Sequence, residues 1–572
     1  MSKICLNCGH SNSDVAKFCV RCGMRLPEEP DMGKNPPEGE ADKGAAALFG
    51  PFTAESAELT DTEHGGNVSD GTTGTPAETR PENAGIEEVP DKAEGAGNDG
   101  SADRADGPII FFIFSERRFI MLKLWNQEAA DWRLALRTET EGAGSRLSVE
   151  ADGKTATLWV GLGDAETVTA ETVRRAAAKG IKALKGLGAK TVVLDPAAAK
   201  TLLEQDGVDA MAQGVALALY RPRSWKTEEQ TDMTLYMASV LPSEESNSLT
   251  EAICLARDLV NCPANHLVPA DLARTMTETA RTYGVETEII SAEQARALGM
   301  EAFLTVGDSA GHAPCLIVLR YRGGAPDQAP IGLVGKGVTC DTGGYCLKPA
   351  SSMKGIKGDM AGAAAVFGAL LALARNKVPV NATVVIPSVE NRIAPDSFIP
   401  GDVIGSMSGK TIEIGNTDAE GRLILADAIT YALRKEGVGR VLDIATLTGA
   451  VVGMFGFTTA GFLCNDEAYC TDFMEAAAVS GEQYWRLPAF DEYRKMIESP
   501  VADVSNVSND GCGTITAGLF LETFTESHPW LHIDIAGTAW VDSPKWEYQT
   551  NGATGAAVTT LYHLCKAMAK EA

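Results

Sequence analysis

The chain has 572 residues, 44% of them hydrophobic, and a formal net charge of -27. That length exceeds one compact core, and that charge argues against nucleic acid as a default partner, because phosphate binding needs a basic surface. No run of about 18 apolar residues is present, so no membrane span is expected. Met1-Ser2-Lys3-Ile4-Cys5 lacks the apolar stretch of a secretory signal. The 13 cysteines form an odd set, scattered beyond the first four, which reads as reduced thiols in a cytoplasm.

Residues 1–26 carry Cys5-Leu6-Asn7-Cys8 and Cys19-Val20-Arg21-Cys22, each pair followed by a glycine. Two C-x2-C knuckles wrap one tetrahedral zinc, and a ribbon this small needs the metal to fold. Its ligand is not readable from the sequence. Residues 27–107 hold 20 acids and 5 bases with few large apolar side chains, the composition of a disordered, self-repelling acidic linker. Order is expected from Ile109-Ile110-Phe111-Phe112-Ile113-Phe114. Thr155–Val160 and Thr191–Leu194 read as strands and Ala170–Leu187 as a helix, so residues 108–245 form a small α/β domain.

Residues 246–572 form a second α/β domain, with a mainly parallel central sheet flanked by helices. Helices over 246–283 break at Asn261-Cys262-Pro263. Ile331–Val334, Ala382–Val389, Val441–Leu447 and Trp530–Ile535 read as strands; Gly358–Arg375, Arg422–Arg434 and Gly552–Ala569 read as helices. Strands alternating with helices place sites at strand carboxyl ends.

Two runs concentrate charge among glycines and aliphatics. The first is Val334 to Gly344, containing Lys336 and Asp341, followed by Lys348 and Asp359; the second is Asn416-Thr417-Asp418-Ala419-Glu420-Gly421-Arg422. Taken singly, Asp359 reads as an acid at a helix start and Lys336 and Lys348 as phosphate-binding or solvated lysines. Asp418-x-Glu420-x-Arg422 in extended backbone would project three charges to one side. Its flanks, Thr411–Gly415 and Leu423–Ala426, are core-like, so a surface charge triplet fits poorly. Buried charges need compensation, and a pair of divalent cations would supply it and make the cluster hydrolytic.

These runs resemble the signatures of the leucyl aminopeptidase (cytosol aminopeptidase) family of dinuclear-metal exopeptidases. The similarity covers roughly residues 250–572 and includes Asn416–Ala428, Ala445–Ala450, His532–Gly537 and Ala553-Thr554-Gly555. Residues 109–245 are similar only in position to the family's variable N-terminal domain. The resemblance implies that Asp341 and Glu420 bridge two divalent metals, Zn or Mn, with Mg or Co also fitting. Asp418 would complete one metal site, and Lys336 with Asp359 the other. Lys348 would polarise the scissile carbonyl, and Arg422 would hold bicarbonate as a proton shuttle. Thr446, Leu447 and Gly449, with Thr448, would line the substrate cleft. It further implies a bridging-hydroxide mechanism that removes N-terminal leucine-like and other neutral residues from peptides, and a homohexamer.

Cys340 and Cys346 depart from the family pattern and read as small apolar filler, or as thiols that make activity sensitive to oxidants. Gly307-Asp308-Ser309-Ala310-Gly311 satisfies G-x-S-x-G, but His312-Ala313-Pro314 opposes the helix a nucleophile elbow requires. Gly405–Thr411 is one residue short of a phosphate loop and reads as a turn before a strand. The reading from a different class is a binding protein, with the ribbon recruiting nucleic acid or protein and the peptidase fold as platform. The acidic linker counts against nucleic acid.

Overall fold

The computed structural model describes residues 3–4, 11–12, 122–126, 130–139, 146–152, 155–226, 233–508 and 510–569. Cys5, Cys8, Cys19 and Cys22, the acidic segment 27–107 and Ile109–Phe114 lie outside the described residues. The pairs Lys3–Ile4 and Ser11–Asn12 run antiparallel, bracketing the first knuckle.

The first α/β domain comprises β1 (Lys123–Leu124), β2 (Trp132–Arg137), β3 (Leu147–Asp152), β4 (Thr155–Gly161), α1 (Ala170–Gly186), β5 (Thr191–Asp195), α2 (Ala197–Ala218) and β6 (Thr234–Met237). Its sheet has the order β1-β6-β5-β2-β4-β3, parallel except at the β3 edge. Thr169 and Thr172 form a reciprocal capping box that starts α1. Leu134, Leu158, Val160, Val192 and Leu194 bury against Val173, Ile181, Leu184, Met211 and Val215 of the two helices. A Cβ at Gly180 would fall 2.4 Å from Leu134, so α1 lies this close to the sheet only with glycine there. The domain meets the second one through Leu217 and Tyr220, which bury in the second domain's core, and through polar contacts: Arg175 Nε donates to Glu547 (2.6 Å) and Lys182 Nζ to the Gln549 carbonyl (2.6 Å).

The second domain begins with α3 (Glu244–Asn261) and α4 (Pro269–Arg281), then β7 (Glu286–Ser291), α5 (Glu301–Gly307), β8 (Cys315–Arg322), β9 (Ile331–Gly335) and β10 (Gly337–Asp341). It continues with α6 (Ala361–Arg375), β11 (Asn381–Asn391), α7 (Glu420–Arg434), β12 (Arg440–Ala445), α8 (Gly449–Phe455), β13 (Thr459–Cys464) and β14 (Gln483–Arg486). It ends with α9 (Gly513–Glu522), β15 (Trp530–Asp534) and α10 (Val558–Met568). The nine-stranded sheet has the order β14-β13-β15-β12-β9-β11-β8-β7, with β10 pairing β11 off this path. Its centre, β15-β12-β9-β11, is parallel, and antiparallel pairs occur toward both edges. A parallel centre must be covered on both faces. Leu333, Ile386, Leu442 and Ile533 point to α3, α4, α6 and α10, while Val334, Val385, Val441 and Trp530 point to α5, α7 and α9. The stretch Met353–Arg375 is long and apolar enough to cross a bilayer, yet 78% of its most apolar window is buried inside the fold. It is a core helix.

Several element boundaries differ from the sequence reading: the strand expected over Val441–Leu447 ends at Ala445, and that over Ala382–Val389 runs from Asn381 to Asn391. The helix expected from Gly358 begins at Ala361, because Met353–Gly358 forms a 3-10 turn that delivers Asp359 just before the helix. Gly552-Ala553 is a short strand paired with Trp540-Val541, and the final helix starts only at Val558. Glu420, Gly421 and Arg422 are the first three residues of α7 and not extended backbone.

Asp427, fully buried on α7, accepts hydrogen bonds from the backbone N–H of Phe303 (2.9 Å) and of Met407 (2.7 Å). It thus satisfies a first-turn donor of α5 and anchors the 405–411 turn. Burial pushes its carboxyl up to about 7. A carboxyl raised in the fold contributes stability fully present below its unfolded value of about 4 and lost as pH rises through the folded value. The melting-temperature gap between wild type and D427N should therefore narrow between about pH 5 and about pH 8. A constant or widening gap would contradict this assignment.

Candidate active site

The site lies where β9, β10, β11 and β12 end, at their carboxyl termini. Lys336 sits between β9 and β10, with its backbone N–H on the Ile444 carbonyl (3.0 Å) and its carbonyl accepting from Ala363 (2.9 Å). This three-way approach of β9, β12 and α6 requires Gly362, where a Cβ would fall 2.1 Å from the Ile444 oxygen. The Lys336 side chain is 3% exposed as a residue, and its Nζ lies 2.7 Å from Asp359 and 2.8 Å from Glu420 while donating to the Thr446 carbonyl (3.1 Å). Gly421 admits it: a Cβ there would lie 2.6 Å from Nζ.

Asp341 closes β10, buried, with Oδ2 2.7 Å from Lys348 Nζ. Its Oδ1 accepts from the Gly343 N–H (2.9 Å) and from Asn391 Nδ2 (2.9 Å). Gly343 turns at φ +87°, where a Cβ would also meet Asp418 at 2.9 Å. Lys348 pairs with Asp418 as well as Asp341. Thr446 Oγ1 donates to Asp359 (2.8 Å). The carboxylates of Asp341, Asp418 and Glu420 offer oxygens within 4.8 Å of one another. Arg422 is buried; one guanidinium nitrogen donates to the Asn506 carbonyl (2.7 Å), and its Nε has no hydrogen-bond partner. Thr446, Leu447 and Gly449 follow β12: Leu447 is half-buried, and Gly449 is exposed at the start of α8, which Thr448 caps by accepting from Val451 (3.3 Å).

Four carboxylates meet two ammonium groups in low dielectric, and the imbalance sets the titration. Burial and the charge of Glu420 push Asp341 up to about 6 despite both lysines. Burial, with Asp341 and Glu420, holds Asp359 well above the usual carboxylate range against Lys336. Burial likewise raises Asp418. Burial would raise Glu420 too, but Lys336 and Lys348 outweigh it and hold it down. Burial lowers Arg422 to about 10. The surplus of clustered carboxylate oxygens fits divalent cations, since oxygen donors suit Mn, Mg and Zn and a dication removes the mutual repulsion. The donor-rich guanidinium with an unsatisfied Nε fits a small anion.

Every residue singled out in the two charged runs thus reaches one place. Sequence reasoning missed Asn391 and Asn506, and gave no role to Thr417 or Asp534 within the runs it singled out. Asp534, fully buried, accepts from the Leu447 N–H (3.1 Å) and Thr448 Oγ1 (2.6 Å) and fixes the cleft segment. Thr417 Oγ1 donates to the Gly343 carbonyl (2.6 Å) and accepts from the Cys346 N–H (2.8 Å), joining the two runs. For Asn391 the available signal was positional: Glu390-Asn391 closes an otherwise apolar strand at its carboxyl end. Cys340 is buried, and burial raises its thiol; Cys346 is half-buried with Sγ accepting from the Thr417 N–H (3.5 Å). Ser309 follows a helix, is buried and donates to the Val306 carbonyl (2.6 Å), while His312 pairs with Glu390 (2.8 Å). No nucleophile elbow forms there. The 405–411 segment is a turn leading into a short strand at Ile412-Glu413.

An acid-rich cluster with lysines among its carboxylates, at the ends of parallel strands, is the site of a metal-dependent hydrolase. Residues 254–562 match the catalytic domain of the cytosol aminopeptidase family, residues 142–229 its N-terminal domain and residues 4–26 a zinc-ribbon domain. The probable cytosol aminopeptidase of Clostridium perfringens (strain 13 / Type A) is 40% identical over 427 residues, 72% of this chain and 86% of that one. The probable cytosol aminopeptidase of Alkaliphilus oremlandii (strain OhILAs) is 41% identical over 431 residues, 72% and 85% of the two chains. Among solved structures, the bottromycin maturation enzyme BotP in complex with Mn superposes with a TM-score of 0.71 at 34% identity, over 77% of this chain and 100% of that one. The chain belongs to the cytosol aminopeptidase family. It is a metal-dependent aminopeptidase, a hydrolase of the leucyl aminopeptidase type.

Proposed function

We propose that the chain hydrolyses the N-terminal residue, leucine-like or otherwise neutral, from short peptides by a two-metal mechanism. The observation that carries this reading is the approach of Asp341, Asp418 and Glu420 to within 4.8 Å, with Lys336 and Asp359 alongside. Asp341 and Glu420, central in the cluster, would bridge two ions; Asp418 would complete one site, and Asp359 with Lys336 the other. Bound there, the ions would supply Lewis acidity and an ionised water. Lys336 would ligate only as the neutral amine, giving up its proton to solvent as a dication took its place among the carboxylates. Lys348, half-buried and paired with Asp341 and Asp418, would offer its ammonium to the charge that develops on the carbonyl oxygen. Arg422 would hold bicarbonate through its unsatisfied nitrogen, placing a proton carrier beside Glu420. Leu447 and Gly449 would border the substrate.

The relative in complex with Mn favours Mn, and Zn fits the same oxygens. The match of residues 4–26 to a zinc-ribbon domain supports one further structural zinc on Cys5, Cys8, Cys19 and Cys22. A cytoplasmic homohexamer acting on peptides completes the reading, with light scattering as its check: a fully active monomer refutes the assembly. Release of nitroaniline from leucine p-nitroanilide should vanish with chelator and return with Mn or Zn, and elemental analysis should count about three ions per chain. Full activity in chelator would end the reading.

A further inference from the structure

We infer that Asn391 is a positioning residue for the metal-binding acids, holding Asp341 and Glu420 in fixed relation through one neutral amide. The inference rests on the two-metal reading. Parallel pairing of β10 with β11 sets Asp341 directly opposite Asn391. The Asn391 carbonyl accepts from both the N–H (2.9 Å) and Oγ1 (3.0 Å) of Thr342, so its backbone is locked to the residue following Asp341. The side chain is fully buried. Its Nδ2 donates to Asp341 Oδ1 (2.9 Å) and the Thr417 carbonyl (3.1 Å), and lies 3.4 Å from Glu420 Oε2. All three partners are acceptors only, which fixes the amide with nitrogen toward them.

The lysines also hold these acids, but as cations they compete with a dication for the same charge. Asn391 orients a carboxylate on β10 and another on α7 and leaves both charges available, as outer donors to metal ligands do. Its Oδ1 is buried with no hydrogen-bond partner, and a Cβ at Gly344 would lie 2.9 Å from it. An unpaired buried acceptor is a cost that an apolar residue of the same shape would avoid. Packing alone therefore does not account for an asparagine here; the donor toward the acids does.

The test is calorimetric titration of Mn into full-length, metal-stripped wild type, N391A and N391L given one equivalent of zinc, which the ribbon thiolates take in preference to the carboxylate site. Wild type should take up two Mn per chain. Both variants should bind at least one of them about 10–100-fold more weakly, with the melting temperature of the Mn-free protein nearly unchanged and kcat at saturating Mn falling more than KM rises. N391L keeps the side-chain volume and serves if N391A does not fold. Affinity within about twofold of wild type in a folded variant overturns the inference, as does a loss that only follows a large fall in the Mn-free melting temperature. A wild type that takes up no metal outside its ribbon overturns the two-metal reading instead.

Discussion

Glu420→Ala is expected to lose kcat/KM on a leucine anilide by on the order of 10⁴-fold or more, as removal of a central catalytic group does, and to bind fewer than two ions outside the ribbon. Glu420 is fully buried, 2.8 Å from Lys336 and 3.4 Å from Asn391, and its two oxygens face both halves of the cluster. On the two-metal reading, removing it deletes a donor shared by both ions; it also leaves Lys336 held by Asp359 and the Thr446 carbonyl. The fold should survive, because residue 420 opens α7 and alanine is a strong helix former; the lost helix-dipole interaction is worth only about 1 kcal/mol. Asp341→Ala should behave alike. The checks are steady-state kinetics with added Mn and elemental analysis of the same sample. Turnover within tenfold of wild type in either variant would remove these acids from the chemistry.

Lys348→Met should separate charge stabilisation from metal binding. The ammonium bridges Asp341 and Asp418 from the solvent side and is not needed to gather the acids once cations are present. A preorganised donor to a developing oxyanion is worth roughly 10²–10³ in kcat, close to 4 kcal/mol of barrier at the upper figure. The expected result is a fall of that size in kcat, a KM little changed and the same metal count. Methionine keeps the apolar stem, so packing is preserved. A variant that loses metal instead would make Lys348 a structural counter-ion.

What the sequence made legible was periodicity and clustering. Ile331–Val334 is a continuous apolar run, and Val441–Ala445 is one broken only by Asp443, which is buried against Trp530 and His532, because both lie at the covered centre of a parallel sheet. The charged runs stood out because acids and lysines among glycines and aliphatics have no bland explanation together. The start of α7 was not legible: Ala419 precedes it with no capping side chain, and residues 420–433 are buried on every side, so neither a cap nor a polar stripe marks the helix. The late start of α10 has the same character, since Ala557 holds φ +69° without a glycine to announce it. Asn391 and Asp534 act through partners distant in the chain, and no local spacing reports a hydrogen bond between residues 50 or 87 apart.

The order in which the site's parts leave the ribosome has its own consequence. A nascent chain ending before β12 already carries Lys336, Asp341, Lys348, Asp359, Asp418, Glu420 and Arg422. It lacks the Thr446 oxygens that restrain Lys336 and Asp359, and the Asn506 carbonyl that restrains Arg422. The parts that carry charge are thus made first, and the contacts that hold them in place come only with β12, which lies between β9 and β15, and with the segment around residue 506.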